Sequence, residues 1–247
     1  MRLTFLGSGG SAVSAKRACP SFVVDDSLVF DLGPGSLKNL RLSRIKPDQL
    51  MSVFISHTHA DHISDLVPFL WAMQIDGRQT PLRIYGPPKF SSTLQKLFKC
   101  TNTPKDFFKF PLSVTDLDFG QKVDAVSTCR TAHVVPTLAF RVDSRGKKFC
   151  YSADTSYCPA VVDLAHGVDL LLHEAMFLEY QSNIAELIKH STARMAGRAG
   201  KDAEAKELIL FHIPPPYEHR ETEYMSEASA EYGKSVSIGT DLLSVEF

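Results

Sequence analysis

The chain has 247 residues, 44% of them hydrophobic and 22% charged, with a net charge of −1. That length suits one large domain or two small ones and can enclose a substantial core. The composition is that of an ordinary soluble globular protein, and the near-neutral charge leaves room only for a local patch aimed at nucleic acid or anionic membrane.

Short β-type runs alternate with helix-type stretches from end to end. The first run, "RLTFL" at 2–6, opens an N-terminus without the long apolar stretch that export needs, and no later run reaches membrane-spanning length. Strands are expected next at 27–32 and 51–56, with a helix over 35–44 between them and "GPG" at 33–35 marking the turn. "RLSRIK" at 41–46 reads as a solvated helix face. A helix over 63–74 follows, in which Trp71 and Met73 look exposed; it is expected either at the interface of a homodimer or against the core. Then come a strand at 82–86, a "GPP" turn and a helix over 90–99.

Further strands are expected at 122–128, 138–142, 148–153, 169–174, 207–212 and 234–238, with helices around 157–165, 191–200 and 221–232. "IPPPY" at 213–217 forbids a helix directly after the strand at 207–212. No linker, repeat or low-complexity tract interrupts the pattern, so residues 1–247 are expected to form one α/β domain. The five cysteines, 19, 100, 129, 150 and 158, include no CxxC pair. They read as reduced thiols in a cytoplasmic protein rather than a disulfide framework or a thiolate zinc knuckle.

Four strand candidates run into ionisable residues: "VFIS" into His57, "FCYSA" into Asp154, "LLLH" into Glu174 and "LILF" into His212. In open α/β sheets the chemistry gathers beyond the carboxyl ends of strands. The densest group is "SHTHADH" at 56–62. His57 and His59, two apart in extended chain, project to the same side, while Asp61 and His62 fall where a helix begins. Three crowded imidazoles with no cation between them would repel one another when protonated. Lone histidines such as His166 and His219 are assigned to the surface, and His173 is open to either reading.

Counting ligands gives two seats. One takes His57, His59, His133 and Asp154; the other takes Asp61, His62, His212 and the same Asp154, which would bridge a pair of divalent ions. Imidazole and carboxylate suit zinc, and also manganese or iron, since no cysteine is offered.

"FLGSGG", "FDLG" at 30–33, "SHTHADH", "AH" at 132–133, "SADT" at 152–155 and "FH" at 211–212 resemble the signature of the metallo-β-lactamase superfamily over almost the full length. The resemblance implies a four-layered αβ/βα sandwich, two mixed sheets with outer helices, and a dinuclear site at one edge. Within that superfamily "YGPP" at 85–88, "DLLLHEAMF" at 169–177 and "HSTARMAGRAG" at 190–200 are similar to ribonuclease Z, the endonuclease that trims tRNA 3′ ends. That likeness implies catalytic roles for His190 and Glu174.

The pair also makes chemical sense. Hydrolysis of a phosphodiester expels a basic alkoxide; a protonated imidazole donates to it, and a carboxylate behind the ring keeps the ring charged and oriented. Ser191 and Thr192 are expected to cap the helix that follows. Ribonuclease Z commonly carries a long arm that grips tRNA between the ligand histidine and the bridging aspartate. Here His133 and Asp154 are only 21 residues apart, with a tight "DSRG" turn between them. The chemistry therefore carries over more safely than the tRNA substrate.

The expected activity is a dinuclear metal-dependent phosphodiesterase acting on small phosphodiesters or RNA ends through a metal-bridged hydroxide that Asp61 helps to orient. Hydrolysis of a lactone, thioester or carboxylic ester is the alternative, and His190 speaks against it. A redox role would want a glutamate at position 59. A metal-stabilised binding module without activity would be expected to have lost ligands, and none is missing.

Overall fold

In the computed structural model, which describes residues 1–247, the first half runs β1 (Arg2–Gly7), β2 (Ser21–Val24), β3 (Leu28–Phe30), α1 (Ser36–Leu42), β4 (Ser52–Phe54), α2 (Ala60–Ile63), α3 (Leu66–Ile75), β5 (Leu82–Gly86), α4 (Phe90–Cys100) and β6 (Leu112–Asp116). The second half runs β7 (Lys122–Val123), β8 (Val126–Arg130), β9 (Leu138–Ser144), β10 (Lys147–Tyr151), α5 (Pro159–Leu164), β11 (Leu170–Glu174), α6 (Ser182–Ile188) and α7 (Ala193–Asp202). It closes with β12 (Glu207–Phe211), α8 (Glu221–Tyr232), β13 (Ser237–Ile238) and β14 (Ser244–Glu246).

The strands form two seven-stranded sheets, ordered β14-β1-β2-β3-β4-β5-β6 and β13-β12-β11-β10-β9-β8-β7. Both are mixed. β3, β4, β5 and β6 pair in parallel, as do β10, β11, β12 and β13, while the remaining pairs are antiparallel.

The period-2 pleat explains the layering. On the first sheet Phe22, Phe30, Phe54 and Tyr85 stand opposite one another across four strands and stack with ring centroids 5.1, 5.2 and 4.9 Å apart. They meet Phe140, Phe149, Tyr151 and Phe211 of the second sheet, forming an aromatic core between the sheets. The alternate residues Val23, Val29, Val53 and Ile84 point the other way and are covered by α1, α3 and α4. On the second sheet Leu171, Leu208 and Leu210 likewise face the outer helices, where Ala193, Ala196, Tyr224 and Ala228 lie. Helix, sheet, sheet, helix: the four-layered sandwich is the fold.

Several expected elements change. The run at 122–128 is not one strand but a hairpin, because Asp124 adopts a left-handed φ of 51° and folds β7 back on β8. β2, β6, α6 and β14 were not anticipated. Met73 is fully buried in the core under α3, not exposed; Trp71 is half-buried and donates from Nε1 to Thr103 Oγ1 at 3.0 Å.

Candidate metal and catalytic site

The carboxyl ends of β4, β10, β11 and β12 deliver their polar residues to one edge of the sandwich, where a bridge between Gly9 and Ile213 joins the sheets. Three of the turns at this edge use left-handed backbone at non-glycine residues: Asp31 (φ 52°), Ala153 (φ 51°) and His212 (φ 67°). Such conformations are uncommon and gather where the chain must aim a side chain.

Donor atoms of His57, His59, His133 and Asp154 all lie within 4.8 Å of one another, and so do those of Asp61, His62 and His212. In the first group His59 Nδ1 is 3.1 Å from His57 Nε2 and 3.3 Å from His133 Nε2. In the second, His62 Nε2 and His212 Nε2 are 3.4 Å apart, and Asp61 Oδ2 is 3.7 and 3.4 Å from them. Nitrogens bound tetrahedrally at about 2.0–2.1 Å stand ~3.3 Å apart. Asp154 lies between the groups, with Oδ2 3.5 Å from His57 and 3.9 Å from His133, and Oδ1 3.4 Å from His62 and 3.5 Å from His212. Asp154 Oδ1 is buried without a hydrogen-bond partner, an atom whose satisfaction calls for a cation. The donor set fits divalent metal.

Burial drives His57 well below the ordinary imidazole range, helped by the neighbouring His62, and burial also lowers His59 and His133. Their lone pairs are therefore free to ligate. His62 goes the other way: burial opposes its charge, but Asp154 and Asp31 outweigh it and raise its pKa well above the ordinary value. Carboxylates that favour a proton there favour a divalent cation more, and metal binding displaces such protons. Asp154 is held well below the carboxylate range, since His212, His62 and His57 outweigh its burial.

Hydrogen bonds behind the rings fix which nitrogen faces inward. His62 Nδ1 donates to Asp31 Oδ2 at 2.9 Å, and His133 Nδ1 donates to the Lys189 carbonyl at 2.9 Å. His57 Nδ1 donates to Ser56 Oγ at 3.0 Å, and that hydroxyl donates on to Asp31 Oδ2 at 2.8 Å. Asp31 also accepts from Tyr151 Oη and the Ser56 N–H, each at 2.7 Å. Asp31 is not among the residues expected at the site; the signal for it in the chain is an aspartate directly after an apolar strand.

A second support was invisible in the sequence. The loop from Ser8 to Cys19 covers the Asp61 half of the site: Ser11 N–H donates to Asp61 Oδ2 at 2.9 Å, and a Cβ at Gly10 would stand 2.4 Å from His212 Nδ1. Asp241 anchors this loop by accepting from Ser8 N, Ser8 Oγ and Ala18 N at 3.0, 2.7 and 2.7 Å. Buried Arg17 adds bonds to Ser8 Oγ, the Gly239 carbonyl and Glu221.

His190 and Glu174 lie beside the two donor groups. His190 Nδ1 donates to Glu174 Oε1 at 2.8 Å, and its Nε2 is 3.9 Å from Asp154 Oδ2. Burial disfavours the charged ring, but the Glu174 carboxylate outweighs it and lifts His190 to about 9. Ser191 Oγ donates to the Thr155 carbonyl at 2.6 Å, and Thr192 caps α7 by accepting from Met195 N–H at 3.1 Å. Of the remaining histidines, His166 and His219 are exposed, while buried His173 donates to the Glu174 carbonyl and stands outside the donor groups.

Comparison with known proteins points the same way. Ribonuclease Z of Methanothermobacter thermautotrophicus is 28% identical over 301 aligned positions, covering 100% of this chain and 96% of the relative. That of Brevibacillus brevis is 28% identical over 287 positions, covering 92% and 89%. Among solved structures, the metallo-β-lactamase fold protein YhfI from Bacillus subtilis superposes with a TM-score of 0.86 at 27% identity, covering 100% of this chain and 98% of that one. The short form of human tRNase Z gives a TM-score of 0.83 at 25% identity, covering 100% and 99%. The family model described as the β-lactamase superfamily domain matches residues 27–213. With the sandwich and its donor-lined edge already in view, this match makes the chain a member of the β-lactamase superfamily.

Proposed function

We propose that the chain, acting as one domain over residues 1–247, is a metal-dependent hydrolase of phosphodiesters with ribonuclease Z-type chemistry. The carrying observation is the His190–Glu174 pair, held at 2.8 Å with Nε2 directed toward Asp154 between the two donor groups. Two divalent ions, zinc being the first choice and manganese or iron also suited, would be held by His57, His59, His133 and Asp154, and by Asp61, His62, His212 and Asp154. Bound there, they would supply Lewis acidity and a water acidic enough to attack phosphorus near neutral pH.

The chain's own residues do the rest. Asp61, fixed through one oxygen by Ser11 N–H, orients the attacking water. As the new P–O bond forms and the old one breaks, the proton on His190 Nε2 passes to the departing oxygen. Glu174 receives the His190 N–H throughout and is itself pinned by Thr155 N–H and Met176 N–H at 2.9 and 3.2 Å. Acyl transfer needs little of this leaving-group assistance, so lactone or thioester hydrolysis is the poorer reading.

RNA ends and small phosphodiesters are the proposed substrates. An arm of the kind expected in ribonuclease Z has no place between His133 and Asp154. β9 and β10 join through Arg145 and Gly146 alone, both at left-handed φ (52° and 75°), as in a two-residue hairpin turn. A second copy is the proposed neighbour of the outer side of α3, where Ile75 is 75% exposed. No helix is long and apolar enough to cross a membrane, and five free cysteines suit the cytoplasm.

Bis(p-nitrophenyl) phosphate assayed beside a lactone and a thioester tests the reaction class. Turnover of the diester supports the reading; turnover of the acyl substrates alone rejects it.

A further inference from the structure

A sizeable cavity lies away from the residues of the His/Asp cluster. It is a groove of about 1040 Å³ between α4 and the segment 101–112, lined by Phe98, Phe108 and Phe110 together with Lys99, Asn102 and Lys105. Phe110 is buried, whereas Phe98 and Phe108 are half-buried. Phe108 packs against Phe98 and Phe107 with centroids 5.5 and 5.3 Å apart, and Phe107 against Trp71 at 4.2 Å, so the rings are rigidly backed.

Positive charge is concentrated along α4 and the segment that follows it. Residues 89–109 hold Lys89, Lys96, Lys99, Lys105 and Lys109 against one acid, Asp106, which is +4 locally in a chain of net −1. All five lysines are exposed. The lysine ammoniums that find partners are those of Lys206 and Lys234; none of these five does. The nearby Asp116 instead accepts from the Lys89 and Ser91 N–H groups and Ser91 Oγ at the start of α4.

Direction matters as well. β5 runs parallel to β4, so Lys89, three residues beyond β5, sits at the sandwich edge that carries the metal-ligand cluster. The 11 residues of α4 lead from there to the groove, a span of ~16 Å at about 1.5 Å per residue.

We infer that the groove between α4 and residues 101–112 is a docking site for single-stranded RNA, with the lysines contacting phosphates and the phenylalanines receiving bases. This deepens the proposed phosphodiesterase reading and rests on its RNA substrate class. Unpaired lysines around recessed rings match the pattern of single-strand binders, in which phosphate contacts supply affinity and base–aromatic stacking tolerates any sequence. A lipid surface would call for protruding apolar anchors, and here the rings line a concavity.

The test compares the metal-loaded wild type with K96A/K99A/K105A/K109A, and separately with Phe108→Leu, which keeps an apolar side chain in place. Probes are a 3′-extended stem-loop RNA, bis(p-nitrophenyl) phosphate and phosphatidylserine vesicles. The quadruple variant is expected to raise the KM for RNA by about tenfold or more, to lower the salt slope of binding by about 2–3, and to leave diester turnover unchanged. Phe108→Leu is expected to weaken RNA binding about fivefold. An unchanged KM and salt slope would overturn the inference, and so would lysine-dependent binding of vesicles without RNA binding. Lysine-dependent RNA binding by a wild type that hydrolyses no phosphodiester would uphold the docking site and defeat the catalytic reading instead.

Discussion

Glu174 Oε1 accepts two hydrogen bonds at once, from His190 Nδ1 at 2.8 Å and from Thr155 N–H at 2.9 Å. The carboxylate therefore cannot swing away from the imidazole, and His190 keeps Nε2 turned to the site. Replacing His190 by Ala should slow diesters with alkoxide leaving groups by about 10²–10⁴-fold, the usual range for a lost general acid. Bis(p-nitrophenyl) phosphate, whose phenolate departs unaided, should lose much less. Equal losses on both substrates would refute the acid role.

The sign of the pH effect follows from the same contact. Glu174 lifts His190 to about 9, so the donating proton is present below that pH and is lost as pH rises through it. Glu174→Gln keeps the shape but removes the charge, leaving burial opposed by Asp154 alone among the carboxylates, and the folded-state pKa falls. The alkaline limb of activity on alkoxide-leaving substrates should then move to lower pH, with metal content unchanged. A limb that stays in place would assign it to another group.

Asp154 offers one oxygen to each donor group, so its loss should be felt twice. Asp154→Ala is expected to reduce bound metal from about two ions per chain to well under one, measured by elemental analysis after gel filtration. His59→Ala, which removes a donor from one group only, should retain about one. If both variants lose the same single ion, the bridging assignment fails.

Much of this site is readable from the chain because the candidate ligands are local or follow apolar strands. "HTHADH" places four donors within six residues, and each of Asp154, Glu174 and His212 comes at or just after the carboxyl end of a strand of the second sheet. What supports them is not readable. Asp31 serves His57 and His62 through contacts spanning 25 and 31 residues, and Asp241 reaches Ser8 across 233. No periodicity encodes such pairings. Two of the missed strands, β6 and β14, are the edges of the first sheet and consist of exposed or half-buried residues, so no apolar run announces them and pairing with β5 and β1 makes them strands. α6 does carry a one-sided pattern, Ile184, Leu187 and Ile188 at i, i+3 and i+4, so it was legible in the chain; what the pattern could not tell is that this face stays exposed.

The loop over Asp61 gives a prediction that separates the two metal seats. At Gly10 an added methyl would stand 2.4 Å from His212 Nδ1 and 2.6 Å from its carbonyl oxygen, far inside contact distance. Gly10→Ala should displace the His212 ring and weaken the Asp61–His62–His212 seat while sparing the His57–His59–His133 seat. Asp241→Asn, acting through Ser8 and Ala18, should do the same more mildly. Titration with cobalt as a spectroscopic stand-in should show one tight and one weakened site in each variant. Uniform weakening of both would mean that the loop supports the whole edge.

Arg78 tests stability apart from chemistry. Its side chain is buried, and its guanidinium donates to four carbonyls, those of Pro47, Leu50, Thr80 and Pro81, tying the turn before β4 to the turn before β5. Burial lowers its pKa, with Asp48 opposing. Lysine has one nitrogen and no planar fork, so it can reach only part of this set. Carbonyls stripped of partners away from water each cost about 1–3 kcal/mol. Arg78→Lys is therefore expected to destabilise the fold by about 2–4 kcal/mol in urea unfolding. Metal content and diester turnover should stay normal below the transition, because the two turns lie at the amino ends of β4 and β5, opposite the edge where the ligands gather. A loss of metal at full folding would show that strain at one end of the first sheet reaches the other.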